Sequence, residues 1–265
     1  MLDYDFEYDG ICLSDLGFMV CSFDGITESQ LEGSKITFNQ TSVMMGKKQL
    51  LSNTKYEECL TTEFDICKIN CNGNPEDSYI SVEEEEKIRR WLNRKKFHKF
   101  KILSDRFQKI YFMGSFNVQS NEFGGNIHGM HLSFVSDSAF GYTDSKYKFS
   151  VEQNEPYTIY DMSAEEGDTF LTAIITCKSS GTLEITNSFN NSTTIIHNCI
   201  EGEVISINNM IIQSSNEEHD SSIMNDFNFI FPKIVNNYND RKNVYTFSLP
   251  CDVVFEYREL RKIGI

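Results

Sequence analysis

Residues Ile110–Tyr142 read IYFMGSFNVQSNEFGGNIHGMHLSFVSDSAFGY, and they decide the fold of the first half of the chain. Ile110–Val118 has the composition of a strand. Asn121–Asn126 follows, and its two adjacent glycines can adopt the positive φ angles of a tight turn. Ile127–Asp137 then alternates, which predicts a return strand with one buried face. A strand pair of this kind is not stable alone in water, so another element must cover its apolar face.

The covering element is predicted to be a helix over Ser81–Lys96. Ser81 and Glu84 have the spacing of a capping box. Glutamates near its start and basic residues near its end suit the helix dipole. One face of this helix carries a short apolar stripe, made of Ile88, Trp91 and Leu92. We expect this stripe to cover the hairpin, and we interpret the glutamates as a solvated helix start rather than a metal or catalytic cluster.

Charge is distributed unevenly along the chain. The formal net charge is −15, so the surface as a whole should repel DNA and anionic membranes. Residues Lys87–Lys109, the basic segment, are the exception, with phenylalanines between the basic residues. This pattern is compatible with nucleic-acid binding, with docking of an acidic partner surface such as that of a neighbouring copy, or with a solvated helix end. Residues Asp3–Asp9, the acidic strand, alternate acidic and aromatic residues, which predicts a half-buried strand with an acidic outer face.

At 265 residues the chain has the length of one large or two ordinary domains. Thr143–Pro156 is polar, and we interpret it as a domain boundary. The rest of the chain contains about eight short segments of strand composition, which predict a sandwich or jelly roll. Among them, Phe227–Phe231 is predicted to be a strand because its phenylalanines alternate, and Ser214–Ser222 a polar loop. Thr41–Tyr56 is compatible with a long hairpin arm or with a loop.

The sequence contains no strong signal for catalysis. It lacks the GxSxG, P-loop, GxGxxG and HExxH motifs. His128 and His131 are three residues apart on a predicted strand, so we expect them to face opposite sides of the sheet and not to share a metal ion. His197 and Cys199 could share a face, but no third ligand is evident. The sequence therefore favours a binding or structural role over an enzyme, with no catalytic residue, cofactor or metal site.

The chain has eight cysteines at irregular spacings: Cys12, Cys21, Cys59, Cys67, Cys71, Cys177, Cys199 and Cys251. No two of them form a CxxC pair, which argues against a structural zinc site. The N-terminus shows no signal peptide pattern, so we expect reduced thiols in a protein made in a cytoplasm. No apolar run is long enough to span a bilayer.

Four segments, taken in order, resemble the distal tail protein (Dit) family of long-tailed phages of Gram-positive bacteria. Two of them correspond to the opening strands of that family and to its helix with a central Trp-Leu: Phe6–Val20 (FEYDGICLSDLGFMV) and Arg89–Ile102 (RRWLNRKKFHKFKI). The third is Ile110–Tyr142, which resembles the family's hairpin and its closing Ser/Asp-x-Ala/Pro-Phe/Tyr-Gly element. The fourth, Gly202–Ser214 (GEVISINNMIIQS), resembles a hairpin of the second domain. The order and spacing of the segments carry the resemblance, which covers nearly the whole chain.

The resemblance implies a mainly β chain with an N-terminal β-sandwich and one α-helix over residues 1–142, and a C-terminal galectin-like β-sandwich (jelly roll) over residues 155–265. It implies a homohexameric ring at the tip of the virion tail, around the DNA channel, assembled in the host cytoplasm. Its partners would be the tail tube protein, the tail-associated hub protein and the tape measure protein. DNA would pass through without specific binding, and no membrane is involved. In some relatives the last residues return to the first domain, as Tyr257–Ile265 could do here.

A ring requires two complementary faces on each copy. The acidic strand and the basic segment are the candidates, and they predict inter-subunit contacts through Asp3, Asp5, Glu7, Arg89, Arg90 and Arg94. The alternative function is a carbohydrate-binding module that acts on the host cell wall through the second domain. The only tryptophan, Trp91, lies in the predicted helix, and its position there disfavours this alternative.

Overall fold

The computed structural model describes residues 5–22, 36–42, 49–56, 59–70, 79–208 and 210–263. The chain divides into two compact units, the first formed by Met1–Tyr142 with Lys262–Ile265 and the second by Thr143–Arg261. Strands dominate both units, which confirms the predicted mainly β fold class. Within the described ranges, no helix is long and apolar enough to cross a membrane.

The first unit is built on one large antiparallel sheet. The described strands of this unit are β1 (Phe6–Tyr8), β2 (Ile11–Cys12), β3 (Phe18–Cys21), β4 (Ile36–Ser42), β5 (Gln49–Tyr56), β6 (Thr61–Lys68), β7 (His98–Ile102), β8 (Phe112–Phe123) and β9 (Asn126–Ser136). Seven of them form the sheet in the order β2-β1-β7-β8-β9-β6-β3. The predicted hairpin is β8–β9. Strand β8 continues five residues beyond the predicted end at Val118, because the turn consists of Gly124 and Gly125 alone, at φ 63° and 82°.

The predicted helix is α1 (Val82–Leu92), and it covers this sheet. Its capping box is present: the Glu84 amide donates to Ser81 Oγ at 3.3 Å, and the Ser81 amide donates to Glu84 Oε2 at 2.9 Å. The apolar stripe packs into one core with the aromatic side chains of β1, β7, β8 and β9. The prediction that this stripe covers the hairpin is therefore confirmed.

The helix ends at Leu92, four residues before the predicted end at Lys96. The chain turns here because the following residues must form β7, which pairs with both β1 and β8. Arg94 closes the helix end by donating from Nε to the Trp91 carbonyl at 2.9 Å. Ser115 Oγ on β8 in turn donates to the Arg94 carbonyl at 2.6 Å.

The second unit is a sandwich of a five-stranded and a four-stranded sheet around a single core. Its strands are β10 (Gly141–Val151), β11 (Tyr157–Tyr160), β12 (Gly167–Phe170), β13 (Thr172–Cys177), β14 (Gly181–Asn187), β15 (Ser192–Cys199), β16 (Val204–Asn208), β17 (Ile211–Ser214), β18 (Lys233–Asn236), β19 (Lys242–Phe247) and β20 (Cys251–Arg261). The five-stranded sheet has the order β10-β20-β13-β16-β17 and the four-stranded sheet the order β11-β19-β14-β15, and β12 pairs with β18. Inward residues of both sheets form the core, for example Ile175 on β13 and Ile185 on β14.

Two predictions for this part of the chain are corrected by the structure. Helix α2 (Glu217–Asp226) lies within the predicted loop and beyond it, with the Asn216 side chain accepting from two backbone amides at its start. Phe227–Phe231 is not a strand, because Asn228 bonds to β15 through its side chain and Phe229 has φ 59°. The polar segment Thr143–Pro156, predicted to be a domain boundary, contains most of β10, where charged and aromatic residues alternate, and the two compact units divide at its start.

The chain end returns to the first unit. Lys262 belongs to that unit, and Ile263 packs against its core. A methyl group added to Gly141 would lie only 2.6 Å from the Ile263 side chain. The glycine that ends Ser138–Gly141 (SAFG) therefore leaves space for the returning chain.

Candidate interaction surfaces

The acidic strand and the basic segment meet inside one chain. Strand β1 pairs with β7, and the register places Glu7 opposite Lys101, whose Nζ lies 2.8 Å from the Glu7 carboxylate. Asp9 binds Arg94 Nη1 at 2.6 Å and His98 Nδ1 at 3.2 Å. These pairs are partly exposed, so each stabilises the fold by less than about 1 kcal/mol. Much of the charge complementarity read from the sequence is therefore satisfied within a single subunit.

The other predicted contact residues differ in what they do. Asp5 accepts hydrogen bonds from the backbone amide and hydroxyl of Ser14 and so holds the turn after β2. Asp3 lies outside the described residues. Arg90 is exposed on α1, and across the ranges that the structure describes it makes no ion pair. Inter-subunit contact through these residues stays a prediction. Arg89 and Arg94 form ion pairs within the subunit, so Arg90 is the arginine of the set that remains available for such a contact.

Arg89 holds α1 to the sheet. Its Nε lies 2.9 Å from Glu85, one turn earlier, and its two terminal nitrogens donate to the Val118 carbonyl and to Ser120 Oγ, each at 2.7 Å. Ser120 Oγ donates to the same Glu85 carboxylate at 2.6 Å. The Ser120 bond and Arg89 together lower the pKa of Glu85. Arg89 is thus part of a network that joins helix and strand.

The variant Arg89→Ala is expected to lower the free energy of unfolding by about 1–2 kcal/mol, because it removes charge-assisted hydrogen bonds that water replaces only in part. Urea unfolding followed by Trp91 fluorescence measures this change. The matched control is Arg90→Ala on the same helix, for which we expect a change within about 0.5 kcal/mol. Equal effects of the two variants would contradict the assigned roles.

A two-stranded hairpin, β4–β5, is largely exposed among the described residues of the first unit, and we call it the hairpin arm. Its register runs from Ile36 opposite Tyr56 to Ser42 opposite Gln49, so the hairpin arm interpretation of Thr41–Tyr56 is the correct one for the described residues. Phe38 and Leu51 are each 57% exposed. At its base Tyr56 packs edge-on against Phe140, with 4.8 Å between ring centroids. A solvated two-stranded hairpin is at best marginally stable, so apolar side chains exposed on it indicate a contact surface.

The two histidines of β9 lie on the same side of the sheet, which corrects the prediction that they face opposite sides. A β-bulge opposite the Asn121/Glu122 step adds one residue at His128, and the extra residue reverses the alternation. Both imidazoles line a cleft of about 530 Å³, where His131 Nδ1 lies 2.9 Å from Asp65. Among the described residues, no group of three metal-ligating side chains occurs.

Two family models match this chain, one over each half. The model described as the phage tail protein N-terminal domain matches residues 1–138, and the model of the phage tail C-terminal domain matches residues 140–257. The chain belongs to the phage tail protein family. A comparison with curated protein sequences finds no match.

The fold of this phage tail protein is also that of a solved structure. The crystal structure of the Dit protein of phage SPP1, described as a paradigm of the hub adsorption apparatus in phages that infect Gram-positive bacteria, matches with a TM-score of 0.68. The match covers 96% of this chain and 98% of that chain, at 12% identity. It confirms, at the level of fold, the resemblance to distal tail proteins that the sequence indicates.

Sequence reasoning found the charged residues of this phage tail protein and missed the exposed surface of its hairpin arm. The β-branched and aromatic residues of Ile36–Phe38 indicate strand structure, but nothing in the pattern shows that both faces are solvated.

The single tryptophan, Trp91, is only 5% exposed, and its Nε1 donates to the Tyr8 carbonyl at 2.9 Å. Trp91 is therefore a core residue and not a platform for a sugar.

Proposed function

We propose that this phage tail protein is a structural component of the tail tip that forms a ring of six copies. In this role it joins the tail tube to the tail-associated apparatus and encloses the DNA channel. The whole-chain likeness to the SPP1 Dit protein is the observation that carries the proposal, because it includes both units in the same order. The role is structural and not enzymatic, and the place of action is the virion tail tip after assembly in the host cytoplasm.

The hairpin arm is the surface through which we propose that neighbouring copies contact each other. Nearly every described side chain of the hairpin arm is exposed, including the apolar Ile36, Phe38 and Leu51. A second copy of the chain is the occupant that fits, because a ring needs the same contact to repeat in every subunit. Burial of these side chains by a neighbour would also remove the exposed apolar area that makes an isolated hairpin unstable.

The remaining partners follow from the same proposal. They are the tail tube protein, the tail-associated hub protein and the tape measure protein. The net charge of −15 suits a channel through which DNA slides without specific binding. A ring structure with a strongly basic inner surface would contradict this part of the proposal.

The test is the mass of the purified full chain in solution. Light scattering after gel filtration, over a series of protein concentrations, gives the number of subunits, and negative-stain images of the same peak give the symmetry. We expect six-fold rings. A monomer at high concentration, both alone and with purified tail tube protein, would contradict the proposal.

Arg90 tests whether the basic segment takes part in the ring. The variant Arg90→Glu is expected to weaken association by up to about fivefold per contact, which corresponds to about 1 kcal/mol for an exposed ion pair. The loss should shrink as salt is raised, because salt screens exposed charges. Lys242→Glu, a reversal at an exposed lysine of the second unit, is the matched control. The same concentration dependence for both variants at low salt would exclude Arg90 from the contact.

A further inference from the structure

The cleft that His128 and His131 line lies on the outer face of the first unit's sheet, and we call it the β8–β9 cleft. Its volume of about 530 Å³ falls within the range of pockets that hold small ligands. The side chains that line it carry carboxylates, amides, imidazoles and one phenyl ring. The solvent side of a sheet is ordinarily polar, so polarity alone does not mark a site. The features that distinguish this cleft are its bend, its unpaired polar groups and its aromatic ring.

The bend comes from the β-bulge in the β8–β9 pair. A bulge curves its strand and redirects a side chain, and bulges occur preferentially beside functional sites. Here the redirected side chain is His128, whose ring packs edge-on against Tyr79 with 4.9 Å between centroids. His131 is fixed by Asp65, whose carboxylate lies 2.9 Å from Nδ1. Both imidazoles are therefore held in position before any ligand arrives.

Three polar side chains of the cleft have no partner within the part of the chain that the structure describes. Gln119, Asn121 and Glu122 form no side-chain hydrogen bond or ion pair there. Each amide offers both a donor and an acceptor, and the carboxylate offers acceptors. Polar groups that converge on one concave surface are what orients a ligand in a pocket. A ligand that fits this cleft therefore carries donors and acceptors close together.

Phe123 places an aromatic ring at the same cleft, next to the turn of the hairpin. It is 80% exposed, more than any other large apolar side chain among the described residues. Its ring centroid lies 6.2 Å from that of His128, so the ring stands beside the polar groups. Burial of such a ring against a ligand is favourable, and its electron-rich face attracts C–H groups that carry partial positive charge.

We propose that the β8–β9 cleft binds a sugar without negative charge, that is, a neutral sugar or an amino sugar. A sugar ring combines an apolar C–H face with neighbouring hydroxyl groups that donate and accept hydrogen bonds. Phe123 packs against the C–H face, and Gln119 and Asn121 bind the hydroxyl groups. Glu122 accepts a hydrogen bond from a hydroxyl or an ammonium group.

Charge sets the specificity of the cleft. The carboxylates of Asp65 and Glu122 line it, and the net charge of the chain is −15, so a phosphate or carboxylate on the sugar is repelled. This inference goes beyond the proposed structural role. It concerns the first unit alone and does not depend on ring formation.

The experiment is saturation-transfer difference NMR on the full chain, which detects a ligand bound to a monomer or to a ring. The probes are glucose, galactose, N-acetylglucosamine and glucosamine, with glucuronic acid and glucose-6-phosphate as anionic counterparts. We expect saturation transfer to at least one of the first four probes. Titration should give the anionic counterparts a dissociation constant higher by about fivefold or more, the effect of one exposed like-charge contact.

Two variants place the sugar in the cleft. Phe123→Ala is expected to weaken binding by about tenfold, through the loss of the aromatic contact, and Gln119→Ala by about three- to tenfold, through the loss of a hydrogen bond. Phe97→Ala is the matched control, because Phe97 is 51% exposed in the same unit and does not line the cleft. Urea unfolding of all three variants should match that of the natural chain, since the substituted side chains are solvated.

A third variant tests the role of charge. Glu122→Lys is expected to lower the dissociation constant of glucose-6-phosphate by about fivefold, because it replaces a repulsion with an attraction. The proposal is overturned if none of the four sugars receives saturation, or if Phe123→Ala and Phe97→Ala bind with equal affinity. Tighter binding of the anionic counterparts by the natural chain would overturn it as well. Light scattering reports the assembly state separately, so a failure here is distinguishable from a failure of the ring.

Discussion

The double variant Phe38→Asp/Leu51→Asp is expected to remain monomeric at concentrations where the natural chain forms rings. Both side chains are 57% exposed on the hairpin arm, and the proposed contact buries them in a neighbouring copy. Full burial of one such side chain contributes about 1.5–3 kcal/mol, and a little over half of each is still exposed, so the loss of two weakens each contact by about 20-fold or more. Burying two carboxylates without partners adds to this loss. Light scattering over a concentration series measures the change.

The control must separate a lost contact from a lost fold. Met224→Asp places the same charge at a residue of similar exposure, 55%, on α2 of the second unit, and it should leave ring formation unchanged. Urea unfolding of the double variant should match that of the natural chain, because the substituted side chains are solvated in the single subunit. Rings that form with the same concentration dependence in the double variant would remove the hairpin arm from the interface.

The parts of the fold that were predictable are those in which local pattern and tertiary packing agree. The capping box at Ser81 and the apolar stripe of α1 fixed the helix start and its buried face. The alternation along β9 placed Met130, Leu132 and Phe134 in the core, where the structure has them. These signals are local, so one sequence is enough to detect them.

The elements that the sequence analysis missed are stabilised by contacts that local pattern does not show. Helix α2 buries only His219 and Ile223, so its sequence looks like a polar loop. Asn228 replaces strand pairing with its side chain, and the phenylalanines around it alternate without forming a ladder. The bulge at His128 shifts the alternation by one residue, and no composition rule places a bulge.

Charge complementarity was visible in the sequence, but its location was not. The sequence shows an acidic strand and a basic segment, and both are consistent with an interface between copies. The register of β1 with β7 brings Glu7 to Lys101 within one chain, and a register is a tertiary property. The charged side chains available for an interface are those that form no ion pair within the described subunit, such as Arg90.

The largest stability effect is expected from Trp91→Ala. The indole lies parallel to Phe6 with 5.7 Å between ring centroids, and it meets Tyr8 edge-on at 6.1 Å. Its removal leaves a cavity between α1 and the sheet and takes a hydrogen-bond donor away from the Tyr8 carbonyl, which should cost about 3–5 kcal/mol. Urea unfolding followed by far-UV circular dichroism measures the loss, because the variant has no tryptophan to report by fluorescence.

Trp91→Phe divides this loss into packing and hydrogen bonding. Phenylalanine keeps an aromatic ring beside Phe6 but cannot donate to the Tyr8 carbonyl, so we expect a cost of about 1–3 kcal/mol from the lost hydrogen bond and the smaller ring. Hydrogen exchange should localise both losses to β1, β7 and β8, while the strands of the second unit keep their protection. Equal costs for the two variants would mean that the hydrogen bond, rather than the volume of the indole, fastens the helix to the sheet.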